Sequence, residues 1–130
     1  MGEQINVVEE AHKINKLADT FLNGAWENQG NAALAMFDEI HKIRDAGGMA
    51  LAKQVFDEAR KDVKTDTQSN VSAQWAERDD HKGAAINFQQ TGLFKSYANI
   101  TMAIRDDGRT AVRAGVGHRG SELFFGDSMK

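Results

Sequence analysis

The chain has 130 residues, 41% of them hydrophobic and 27% charged, with a formal net charge of −3 and neither cysteine nor proline. That balance suits one domain with its own core and excludes a disordered or fibrous chain. The missing cysteine excludes disulfides, thiolate nucleophiles and cysteine metal sites. The apolar run at residues 32–37 is far short of the ~20 residues of a membrane span, so no membrane partner is expected. Met1 to Asn6 carry neither a basic region nor a long apolar stretch, and the expected address is the cytoplasm.

Along the chain the hydrophobic period changes near residues 64–70, from about 3.6 to about 2. Upstream, Val7, Ala11, Ile14, Leu17, Ala18, Phe21, Leu22 and Ala25 fall on one side of a helix expected from about Glu3 to Ala25. Residues 28–31, Asn-Gln-Gly-Asn, read as a turn, with Asn31 as N-cap of a second helix. Its stripe is Ala32, Ala33, Met36, Phe37, Ile40 and Ile43, and Gly47-Gly48 closes it. A third helix is expected from Met49 to Val63, with Leu51, Ala52, Val55, Phe56, Ala59 and Val63 on one face.

The polar stretch 64–70 reads as a connector. Beyond it, Val71, Ala73 and Trp75 alternate with polar or small residues, as a strand or as a short helix around Trp75. Residues 78–83 read as a loop, followed by Ala84, Ile86 and Phe88 in alternation. Ile100, Met102 and Ile104 share a face, Arg105-Asp-Asp-Gly108 turns the chain, and Val112, Ala114 and Val116 return. Gly117-His-Arg-Gly120 then leads into a last strand at Glu122–Phe125. The expected architecture is a single α+β domain over 1–130. Three N-terminal amphipathic helices (1–63) pack on one face of a four- to five-stranded antiparallel meander (71–126), joined by the 64–70 connector.

Few residues point to chemistry. Glu9-x-x-His12 and Asp38-x-x-His41 have the i, i+3 spacing of metal sites in helix bundles, but all four fall away from the apolar stripes, so no metal is expected. Gly115-x-Gly117-x-x-Gly120 lies between strands and lacks the helix N-terminus that a dinucleotide fingerprint needs. No cofactor is expected. His81 and His118 fall in loops, where they could join Asp79, Asp80, Asp106 or Asp107 in an acid–base pair or a metal site. The 78–83 and 105–109 loops share an end of the sheet only if an even number of strands separates them. Solvated hairpin loops are the plainer account.

Charge is unevenly spread. Residues 1–63 hold 7 Lys/Arg against 11 Asp/Glu, and residues 81–119 hold 6 Lys/Arg against 2 Asp/Glu. An acidic helical half beside a basic sheet half can orient a partner or a second copy. Phe124 and Phe125 are adjacent, and a strand's period of two sends one of them to the face away from the helices. The leading expectation is therefore a non-enzymatic protein–protein interaction or self-assembly role, as a homodimer. Its interface would be the sheet layer, at Phe124, Phe125, Arg113 and Arg119. The alternative is a small enzyme or ligand-binding domain with its pocket between helices and sheet, using His81, His118 and Arg113. A third reading is a single-strand nucleic-acid binder using Phe88, Phe94, Tyr97, Arg105, Arg109, Arg113 and Arg119, which the net negative charge disfavours.

Overall fold

The computed structural model describes residues 5–23, 26–62, 69–78, 81–91, 97–116 and 121–126, with backbone alone for Trp26, Asp62, residues 69–78, His81, Thr91, Tyr97 and residues 121–125. The architecture is α+β, with helices gathered on one face of an antiparallel sheet. Helix α1 spans Val7–Asn23. It opens later than the Glu3 expected because Asn6 caps it: Asn6 Oδ1 accepts the Glu9 N–H at 3.1 Å, and the Asn6 carbonyl accepts the Glu10 N–H at 2.9 Å.

Where the sequence suggests two further helices, the structure has one element, α2, over Trp26–Asp62. Two details of the expectation change. First, residues 28–31 are helical rather than a turn. Gln29 is nearly buried and its Nε2 donates to the Phe21 carbonyl at 2.8 Å, so a polar residue of the supposed turn satisfies an orphan group at the end of α1. Second, the helix end expected at Gly47-Gly48 is a one-residue interruption between two helical arms. Gly48 adopts φ 70°, ψ −155°, a conformation that is essentially glycine's alone, and helix resumes at once. The two arms of α2, 26–47 and 49–62, therefore stand where separate helices were expected. Asn15 Nδ2 of α1 donates to the Ala59 carbonyl of the second arm at 3.0 Å.

The sheet has strands β1 (Ser69–Arg78), β2 (His81–Thr91), β3 (Tyr97–Arg105), β4 (Thr110–Val116) and β5 (Ser121–Gly126), in that spatial order. Residues 71–77 are thus strand, not helix, and of the loop expected at 78–83, Arg78 and residues 81–83 are paired strand, while 79–80 lie outside the described residues. Of the expected connector, Ser69 and Asn70 belong to β1, and 64–68 lie outside the described residues. The β3–β4 turn closes with Gly108 N–H donating to the Arg105 carbonyl at 3.1 Å and Arg105 N–H to the Arg109 carbonyl at 2.8 Å. Gly108 has φ 91°, the positive value that the Asp-Gly signal implies.

Alternation decides which side chains meet the helices. Ala84, Ile86 and Phe88 of β2, Ala98, Ile100, Met102 and Ile104 of β3, and Val112 and Ala114 of β4 are buried. They join one continuous core with Ala11, Ile14, Ala18 and Phe21 of α1, and with Met36, Ile40, Ile43, Val55 and Phe56 of α2.

Candidate functional site

The other face of the sheet carries the residues of opposite phase. Strand register sorts them into rows. Asn87, Thr101 and Arg113 stand side by side across β2, β3 and β4, with Phe124 of β5 at the next register position. One row along are Ala85, Ala103 and Ala111, continued by Gly126. On the other side are Gln89, Asn99 and Gly115, continued by Glu122. Asn87 Nδ2 donates to Thr101 Oγ1 at 2.7 Å, which fixes both side chains. Arg113 and Gln89 are exposed, whereas Ala111 and Gly115 are screened by their neighbours. This face is a platform of amide, hydroxyl and guanidinium groups flanked by a strip of methyl groups. Such groups recognise by hydrogen bonding and close approach rather than by acid–base chemistry.

The structure places the sequence-derived candidates as follows. Arg113 lies at the centre of the platform, out of phase with buried Val112 and Ala114. Phe124 is in register with Arg113, and Phe125 with Val112, so the two positions fall on opposite faces of the sheet. Arg119 and His118 lie outside the described residues. His81 opens β2 opposite Arg78, at the end of the sheet that also holds the 105–109 turn, since Gly83 of β2 pairs with Arg105. There Asp106 Oδ2 accepts the Lys82 N–H at 3.1 Å, and the Asp106 N–H donates to the Lys82 carbonyl at 2.9 Å. Asp107 Oδ2 meets Arg105 at 3.0 Å and Arg109 at 3.7 Å. His81 and Arg113 are thus held on different parts of the sheet. In the helical layer Glu9, His12 and Asp38 are exposed, and His41 sets its ring edge-on to Phe37 with centroids 4.1 Å apart.

No protein-family model matches the chain, and comparison with curated proteins and with solved structures finds no similar one.

A second constellation, between α1 and α2, escaped the sequence reading. Glu10, only 4% exposed, and Glu39, 8% exposed, face each other where the helices pack. Each helix sends a lysine to the other's glutamate: Lys13 Nζ lies 2.9 Å from Glu39 Oε1, and Lys42 Nζ lies 3.6 Å from Glu10 Oε1 and 3.8 Å from Glu39 Oε2. Burial pushes the Glu10 carboxyl up to about 7, and its hydrogen bond to Glu39 and that residue's charge add to the shift. Glu39 is also penalised by burial, but hydrogen bonds with Glu10 and Lys13, together with the lysine charges, hold it below the usual glutamate value. Lys13 is raised in turn by its hydrogen bond to Glu39. The signal was present in the sequence. Glu9-Glu10-Ala11-His12-Lys13-Ile14 and Asp38-Glu39-Ile40-His41-Lys42-Ile43 are two copies of one acidic-Glu-x-His-Lys-Ile pattern. Antiparallel packing crosses the two copies, with both isoleucines fully buried.

Proposed function

We propose that this protein is a non-enzymatic interaction protein that assembles with a second copy of itself through the open face of its sheet, as a cytoplasmic homodimer. The observation that carries this reading is the make-up of that face. An antiparallel sheet left open to water ordinarily bears long charged side chains. Here the described central rows flank Asn87–Thr101–Arg113 with Ala85, Ala103 and Ala111 on one side and Gln89, Asn99 and Gly115 on the other, so Arg113 is the one long charged side chain among them. Short side chains let another sheet approach to about 10 Å. Amides and hydroxyls both donate and accept, so such a face is chemically its own complement, as a two-fold interface requires. An aromatic position in register with Arg113 supplies the kind of anchor that dominates binding energy at interface centres.

The experiment is sedimentation equilibrium at micromolar concentration. The wild type is expected to sediment as a dimer. Ala103→Arg, which places a long cation at the middle of the platform without touching the core, should yield a monomer with unchanged circular dichroism. A monomeric wild type, or an undisturbed Ala103→Arg dimer, would refute the reading.

A further inference from the structure

We propose that Glu10 and Glu39 form a proton-operated latch between α1 and the first arm of α2, closed while the two carboxyls share one proton and released when both are ionised. This rests on the helical layer and is independent of the sheet-face dimer.

The geometry argues for it in three steps. Glu10 Oε2 and Glu39 Oε2 are both buried, and neither has a hydrogen-bond partner. Two buried carboxyl oxygens on facing glutamates can satisfy each other only if one of the carboxyls carries a proton. Of the two cations, only Lys13 comes within hydrogen-bonding distance, and it goes to Glu39. Lys42 approaches Glu10 no closer than 3.6 Å. Glu39 is therefore the carboxylate of the pair and Glu10 the acid.

Loss of that proton leaves two carboxylates in contact, out of reach of water on the core side. The charged groups facing Glu10 are Lys13 from its own helix and Glu39 and Lys42 from α2. The buried side chains that β2 and β3 turn toward the helices, from Ala84 to Phe88 and from Ala98 to Ile104, are apolar; the polar residues of the same β2 phase are Lys82 and Gln90 at its two ends. The ionised pair relieves its repulsion only by separating the helices that carry it. Burial of Glu10 sets the changeover at about pH 7, so ordinary physiological variation would operate the latch. The crossed repeat supplies the symmetry of the device, one glutamate and one lysine from each helix.

The test is amide hydrogen exchange followed by NMR, with rates corrected for intrinsic pH dependence, from pH 5.5 to 8.5. The opening equilibrium of α1 amides is expected to rise about thirtyfold over that range, as release of one proton near pH 7 requires, while β3 amides hold steady. In Glu10→Gln the amide donates to Glu39 at every pH, so the rise should vanish. Constant α1 protection in the wild type would overturn the proposal. So would an equal rise at β3, or a rise that persists in Glu10→Gln. If Glu10→Gln does not fold, the carboxyl carbon of Glu10 in the wild type decides: a titration midpoint near 7 supports the latch, and one in the ordinary glutamate range overturns it.

Discussion

Within α1, burial runs from 62% exposure at Val8 to none at Ile14 and Phe21, so position around the helix decides what a side chain is worth. Phe21→Ala should lower stability by about 3–5 kcal/mol, since it empties a packed site. Val8→Ala should change it by no more than about 0.5 kcal/mol. Urea unfolding of both variants checks the pair, and comparable losses would mean that α1 packs by another face. Glu10 adds a pH term whose sign is fixed. Its carboxyl is held up to about 7 against 4.5 when unfolded, so the unfolded chain gives up the proton first. Stability is full below 4.5, declines as pH rises toward 7 by up to about 3 kcal/mol, and is level above. Glu39, lowered, works oppositely on the acid side: its contribution is present above the usual glutamate value and fades as pH falls through its folded value. The wild type should therefore melt highest near pH 5, and Glu10→Gln should remove the decline between pH 5 and 7. Thermal melts across pH 3–8.5 measure both.

At the scale of elements, hydrophobic periodicity located most of the helices and strands, because the stripes it marked in α1, α2, β2, β3 and β4 form the buried face. Ile14 and Phe21, or Ile100, Met102 and Ile104, could be assigned from spacing alone. Boundaries were less legible. Residues 28–31 read as a turn from composition, yet Gln29 spends its side chain on the Phe21 carbonyl and the segment joins α2. A substitution tests that difference by sign. A Cβ at Gly30 meets nothing within 4 Å, so in a helix Gly30→Ala should raise stability by about 0.5–1 kcal/mol. Destabilisation would return the segment to a turn. Gly47-Gly48 read as a helix end, and there the helical backbone is interrupted, with Gly48 at φ 70°, ψ −155° dividing α2 into two arms. Glu10 was legible but unread. It precedes Ile14, Leu17 and Phe21 at offsets of four, seven and eleven, inside the apolar stripe, where a charge signals a partner on the facing helix.

For the molecule as a whole, the phase of each candidate was legible and the rows were not. Arg113 could be placed outside the core from Val112 and Ala114, and adjacency alone split Phe124 from Phe125. That Asn87, Thr101 and Arg113 form one row depends on register, which is set by where each turn closes and is invisible to alternation. The strand order has a further consequence, for how the chain reaches this state. Every strand pairs with its neighbour in sequence, and α1 packs on α2, the element that follows it. No long loop has to close before a contact rewards it, so the entropic barrier stays low for a protein with this much sheet. On a ribosome the helical pair would be complete before the first hairpin emerges, and each later strand would add to an edge already formed. Assembly would then follow the direction of synthesis, with β5 laid down last.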